Sequence, residues 1–381
     1  MQKSAKVAKK LQKNKRIKME NNKTETVVFL GAGISYIAGV PIQSEILKKI
    51  CSNSEITSSK NGSTFINFIK DNFNYGNNCD NFPSIEEIYS FLDFFISQNE
   101  NLNRHYSVNK LKDIWQILTQ LICRVIEKQL YNDEKATQIY HKFWQELFNL
   151  DQKFSIITTN YDSCFFESFD KFYAKNCLID YNIDFANYYE DYSKGIHGFF
   201  WWVKPDNNTK NSKIVNVYKL HGSLDWLYCS NCNKVMYTPF IHANYNLDNG
   251  LLKEPTMYGL NNKNTVAKCP LDKCNYEILI VPPTYNKNFK NSILKELYFK
   301  ALYDLRHAKN IVFIGYSFPD ADYNIKALFS RVDMKRKKVI VIDKKLDDSK
   351  IRKYKSICEN TIFKEIAFEN CIKMFQAYIR E

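Results

Sequence analysis

Thr26-Val27-Val28-Phe29-Leu30 runs directly into Gly31-Ala32-Gly33-Ile34-Ser35. The first five residues are β-branched or apolar without alternation, the pattern of a strand buried on both faces. The next five are small, and they suit a tight strand-to-helix turn whose backbone N–H groups can approach a phosphate. This is not the full dinucleotide fingerprint. Tyr36 stands where the third glycine would fall, and the next glycine is Gly39. The Gly-Lys-Ser/Thr ending of a P-loop is missing too. The loop points to a nucleotide and away from an ordinary dehydrogenase, although by itself it also reads as a plain turn.

Working outward, Phe154–Thr159, Val215–Leu220, Ile278–Val281, Asn310–Gly315 and Lys338–Asp343 share the buried-strand texture, with helical patterns between them. Alternating strands and helices predict an α/β fold with a doubly wound parallel sheet. Ligands in that architecture gather at the carboxyl ends of the strands. The expected organisation is a basic tail over 1–24 and one folded body over 25–381. That body carries a helical insertion at 60–150 and a cysteine-pair insertion at 226–277. Ser84 and Glu87 form a capping-box signature for a helix over Ser84–Ile96, and a second helix is expected over Leu111–Leu130. Phe368–Ile379 reads as an amphipathic closing helix.

Polar residues follow each strand. Thr158-Thr159-Asn160-Tyr161-Asp162 ends one run. Asn160 can donate and accept hydrogen bonds, so it can hold a water or a ribose hydroxyl. Asp162 can order its neighbours or a ribose. Both also suit a turn or a helix N-cap. Tyr218-Lys219-Leu220-His221-Gly222-Ser223 places an imidazole before a glycine, where it can take a proton from a sugar hydroxyl or orient it. A satisfied core histidine is the bland alternative. Gly315 and Ser317 in Gly315-Tyr316-Ser317 could bind phosphate, and Asp343 at the end of Val341-Ile342-Asp343 could accept two ribose hydroxyls.

Two cysteine pairs stand out among eleven cysteines. Cys229 and Cys232 have the two-residue spacing of a zinc knuckle, and Cys269 and Cys274 enclose four residues. Four thiolates would close a structural Zn2+ site with no open position. Free thiols or a decayed site are the alternatives, and the first pair alone would also suit a redox motif.

Taken in order, Gly-Ala-Gly-Ile-Ser, Thr-Thr-Asn-Tyr-Asp, Leu-His-Gly-Ser, the cysteine pairs and Gly-Tyr-Ser resemble the sirtuin superfamily from about residue 27 to 343. The resemblance implies an inverted Rossmann-type domain that binds NAD+ beside a small zinc-and-helix unit, and cleavage of the nicotinamide–ribose bond. Gly31, Ala32, Gly33, Ile34, Ser35, Gly315, Ser317 and Asp343 would then hold NAD+. Deacylase sirtuins follow the glycine loop with Asp-Phe-Arg, whereas this chain has Ala38-Gly39-Val40-Pro41-Ile42-Gln43-Ser44. In this it is similar to the divergent sirtuin-like proteins of prokaryotic antiphage defence, which hydrolyse NAD+ outright. That likeness implies Asn160 and His221 as the catalytic pair, with Asp162 beside them. It also implies a homo-oligomer awakened by a separately encoded activator, such as a HerA-like ATPase or a short Argonaute, while eleven cysteines without a secretory signal point to a reducing cytoplasm. An NAD-dependent protein deacylase and a non-catalytic nucleotide- or DNA-binding subunit are the competing functions.

Composition narrows the field. Hydrophobic residues at 45% and charged residues at 25% exclude a mostly disordered chain. No apolar run of about 18 residues suggests a membrane span, and the lysine-rich start has no apolar core of a secretory signal. The net charge is +13, of which residues 1–23 supply +8 through eight Lys, one Arg and one Glu. Such a tail could touch DNA or another acidic partner, or simply be solvated. Phe199-Phe200-Trp201-Trp202 offers an oligomer contact or a buried cluster.

Overall fold

The computed structural model describes residues 24–73, 82–127, 133–173, 177–186, 188–189, 202–203, 213–237, 256–258, 264–266, 269, 273–274, 276–284 and 291–381. The basic tail and most of the Phe199–Trp202 aromatic run lie outside them. Strands are numbered β1 (Thr26–Leu30), β2 (Phe154–Thr158), β3 (Cys177–Asp180), β4 (Tyr188–Tyr189), β5 (Trp202–Val203), β6 (Lys213–Lys219) and β7 (Gly222–Cys229). They continue with β8 (Lys234–Tyr237), β9 (Thr256–Tyr258), β10 (Asn264–Val266), β11 (Glu277–Ile280), β12 (Asn310–Ile314), β13 (Lys338–Asp343) and β14 (Ile362–Glu365).

Seven of these form one parallel sheet in the order β14-β13-β12-β1-β2-β6-β3. Every residue of β1 and β2 is buried, which is why their sequences carry no alternation. The edge strands β3 and β14 are only partly covered and correspondingly mixed in composition, so they leave little trace in the sequence. Chain order places β1 at the switch point: the chain moves off toward β2 and β6, then returns to β12 on the other side. The crevice for a ligand in such sheets lies at that reversal, outside the carboxyl ends.

The run at Ile278–Val281 does not join this sheet. β11 pairs antiparallel with β7, which also pairs with β8, in a separate three-stranded sheet. Leu279 and Val281 are buried while Ile278 and Ile280 are only partly so. A four-residue apolar run does not distinguish a central parallel strand from a strand covering a second small core.

Helices occupy the path from β1 to β2. Lys60–Asn72, Ile85–Gln98, Val108–Glu127 and Glu134–Phe148 are the longest of them. Ser84 Oγ accepts the Glu87 N–H at 3.0 Å and Glu87 returns the bond to the Ser84 N–H, so the capping box forms. Trp144 stacks on Phe165 with centroids 4.4 Å apart, which ties the Glu134–Phe148 helix to the Cys164–Tyr173 helix that follows β2. The closing segment is not one α-helix. Phe368–Cys371 and Phe375–Arg380 are joined by a 3₁₀ turn at Ile372–Met374. Its buried residues Phe368, Cys371, Ile372, Phe375, Tyr378 and Ile379 recur at three and four, so one apolar face persists through the turn.

Candidate active site

The strand register aligns the ends of the central strands. Leu30 pairs with both Ile314 and Thr158, Ile314 with Ile342, and Thr158 with Lys219. Gly31, Gly315 and Asp343 therefore lie one residue past a common line. Asn160 and His221 lie two residues past it on neighbouring strands, where spacing across a sheet is about 4.8 Å.

The two glycine loops pack backbone to backbone. Gly31 N–H donates to Ile314 O at 2.9 Å, and Gly33 N–H donates to Gly315 O at 2.8 Å. A Cβ on Gly33 would sit 2.7 Å from the Gly315 Cα, and Gly315 itself has φ +61°. The glycines thus join β1 to β12, and these two N–H groups are spent inside the protein. Ala32 is exposed and Ile34 is buried.

Asn160 is fixed by its donors. Its Nδ2 donates to Gly31 O at 2.9 Å and to Ser35 Oγ at 3.1 Å. Ser35 in turn donates to Asp162 Oδ1 at 3.0 Å, and the same carboxylate oxygen accepts the Cys164 N–H. Ser35 and Asp162 are both buried, so they hold Asn160 from behind. Because Gly31 O can only accept, the amide orientation is determined, and Asn160 Oδ1 is the acceptor the residue has left to offer.

His221 is the hinge between the two sheets. Its carbonyl accepts the Val281 N–H at 2.8 Å, and Gly222 turns the chain with φ +78°. A Cβ there would meet Leu279 O at 1.9 Å, so only glycine fits. The imidazole is 4% exposed. Its Nε2 lies 3.8 Å from Asp322 Oδ1 and 3.4 Å from Asn324 Nδ2, and its ring centroid is 6.4 Å from that of Tyr161. Tyr161, the residue after Asn160, donates its hydroxyl to Val281 O at 2.6 Å.

Lys219 lies beneath this loop with 0% exposure. Its Nζ donates to Ser223 Oγ at 2.6 Å, Asp162 O at 2.8 Å and Ser163 Oγ at 3.1 Å. Ser163 donates onward to Asp225. Burial lowers the Lys219 pKa against the pull of Asp225 and Asp162, and burial raises that of Asp225 against the pull of Lys219. Lys219, Asp225, Asp322 and Asn324 belong to no motif that marks a site: Lys219 ends β6, Asp225 lies within β7, and Asp322 and Asn324 follow the Pro319-Asp320 turn.

Of the remaining predicted ligands, Ser317 is exposed. Asp343 is engaged within the protein, its Oδ2 2.9 Å from Lys350 Nζ and its Oδ1 accepting the Lys345 N–H. The sulfurs of Cys229, Cys232 and Cys269 lie within 4.8 Å of one another. Cys274 is outside that trio, although its carbonyl accepts the Cys269 N–H at 2.8 Å and it packs on the same small core. Desolvation and the Cys229 and Cys269 sulfurs push the Cys232 thiol up to about 12. Three converging thiols, those of Cys229 and Cys269 buried and that of Cys232 partly so, suit zinc, which would relieve that crowding by taking thiolates.

The fold and the site define an α/β protein with its polar machinery at a sheet switch point. The SIR2-like domain family matches residues 155–360, more than half of the chain, and the chain belongs to that family. No curated protein matches it. Among solved structures it is similar to a Sir2 homolog–NAD complex at 14% identity and TM-score 0.46, covering 96% of this chain and 93% of that one. It is also similar to Sir2 with a p53 peptide and NAD+ at 14% identity and TM-score 0.43, covering 96% and 98%. Sir2 bound to acetylated peptide gives 13% identity and TM-score 0.42 over the same shares.

Proposed function

We propose that this chain is an NAD+ glycohydrolase, releasing nicotinamide and ADP-ribose. Membership of the SIR2-like family and the ordered motifs support NAD+ as the substrate. The observation that carries the reading is the placement of Asn160 and His221, level on adjacent strands beside the Gly31–Gly33 loop, with both Asn160 amide hydrogens already committed.

In this reaction the bond from the ribose C1′ to the nicotinamide nitrogen breaks, and its electron pair leaves with neutral nicotinamide. Positive charge develops on the ribose, and a water oxygen adds to C1′. Asn160 Oδ1 accepts a hydrogen bond from that water and turns its lone pair to the sugar. His221 orients a ribose hydroxyl or takes the released proton. Positioning of this kind suffices when the leaving group departs easily. Gly31, Ala32, Gly33, Ile34, Gly315, Ser317 and Asp343 line the NAD+ crevice, while Ser35 and Asp162 act through Asn160. Cys229, Cys232 and Cys269, joined by Cys274, hold a structural zinc that steadies the small sheet. The reading extends to antiphage defence by NAD+ depletion, in an oligomer switched on by a partner.

The test follows nicotinamide release from NAD+ by the full chain, alone, with an acyl-lysine peptide, and with candidate activators. Asn160→Ala and His221→Ala should each lower turnover on the order of 10²–10⁴-fold. Full activity in both variants removes them from the mechanism. Release that strictly requires the peptide makes the chain a deacylase instead.

A further inference from the structure

Asp322 stands at the N-cap of the Tyr323–Phe329 helix, where an aspartate ordinarily accepts the helix's first free N–H groups. It makes no such cap bond. Its carboxylate is turned inward at 4% exposure, with Oδ1 3.8 Å from His221 Nε2 and Oδ2 accepting the Tyr316 hydroxyl at 2.6 Å. Tyr316 is itself buried, and its carbonyl accepts the Tyr354 hydroxyl at 2.7 Å, so the carboxylate is braced from behind. Diverting a capping acid onto a buried imidazole needs a reason beyond helix stability.

We infer that Asp322 is the positioning residue of His221: it faces Nε2, fixes the tautomer and orientation of the ring, and steadies the imidazolium when the ring takes a proton. The inference rests on the proposed role of His221. A buried carboxylate held on one ring nitrogen selects which nitrogen carries hydrogen and favours the charged form. The present separation is that of an ion pair rather than a hydrogen bond, and such contacts tighten in the substrate complex. Around the ring stand Asn324, whose side-chain amide lies 3.4 Å from Nε2 and must turn its oxygen there when Nε2 carries the hydrogen, and Tyr161. Burial and then the charge of Asp322 raise the Tyr298 hydroxyl well above its ordinary pKa. Asp322 is the acid that meets the imidazole at ion-pair distance.

The test pairs kinetics with a direct titration of His221 by NMR in the full chain, its signal assigned from His221→Gln. Asp322→Asn keeps the shape and removes the charge. It should lower kcat for NAD+ cleavage about 10²-fold or more with KM nearly unchanged, and lower the His221 titration midpoint by about one unit or more. Tyr316→Phe leaves the carboxylate in place but takes away its brace. Asp322 then pairs more strongly, the His221 midpoint rises, and kcat falls by roughly tenfold or less. A His221 midpoint that does not move in Asp322→Asn overturns the inference even if NAD+ is hydrolysed. A shifted midpoint in a wild-type chain that never releases nicotinamide upholds the pairing and sinks the glycohydrolase reading instead.

Discussion

Asn160 illustrates how little of a side chain's role is visible from its identity. The sequence offered it as a turn residue, an N-cap or a site residue. In the structure Gly31 O and Ser35 Oγ take both amide hydrogens, which leaves Oδ1 as the acceptor it can offer. Ser35→Ala removes one of those acceptors and the link to Asp162. NAD+ turnover should fall about tenfold, a loss in keeping with one hydrogen bond, while thermal unfolding moves little; a variant as active as wild type would separate Ser35 from Asn160. Lys219 supports the same loop at higher stakes. Its folded pKa is lowered, so the unfolded chain binds the extra proton between that value and about 10.5, and this group's contribution to stability rises with pH across that window. The Asp225 pKa is raised, so its contribution is present below about 3.8 and is lost as pH climbs through the folded value. Mutual attraction between the two groups opposes both shifts. Lys219→Met strands Asp225 and should cost about 3–5 kcal/mol in urea unfolding. Adding Asp225→Asn should recover much of that loss, and equal destabilisation of single and double variants would disprove the coupling.

At the scale of elements, legibility followed burial. β1, β2 and β12 announced themselves because both faces are covered, whereas β3 and β14 at the edges carry mixed residues and went unread. The placement of β11 was misread for a related reason: apolar content records burial, not the partner strand. The Leu-His-Gly sequence was legible as a strand ending. Its second role, turning the chain from the parallel sheet into β7, needed the Gly222 geometry. The β7–β8 hairpin ends its first strand on Cys229, and Asn233 closes the turn in the left-handed region with φ +54°. Zinc there must displace protons from crowded thiols, among them Cys232 at about 12. Its affinity should therefore rise as pH rises through the neutral and alkaline range, with protons released on binding. Strong chelators should loosen amide protection in β7, β8 and β11 while leaving β1 and β12 protected. Chelation without any change in hydrogen exchange, or a purified chain with only trace zinc, would contradict the assignment.

For the whole molecule, the motif order conveyed more than any motif did. Gly31, Asn160, His221, Gly315 and Asp343 are dispersed over more than three hundred residues of sequence, yet parallel register sets each within two residues of one line. A doubly wound sheet makes that convergence predictable. The engagement of Asp343 by Lys350, and of Ser35 by Asp162, depends on side-chain pairing across elements and has no counterpart in local sequence. Charge is distributed in the opposite way, with residues 1–23 supplying +8 of the total +13. If the chain contacts DNA, those cations govern it, since each phosphate neutralised releases counterions and steepens the dependence of affinity on salt. Removing residues 1–23 should then flatten the slope of log K against log salt by several units and weaken binding alike on all sequences, with NAD+ turnover per folded chain unchanged. A truncated chain that keeps the full salt slope would move the contact to the remaining +5 of the body, and one that loses NAD+ turnover would tie the tail to the catalytic site instead.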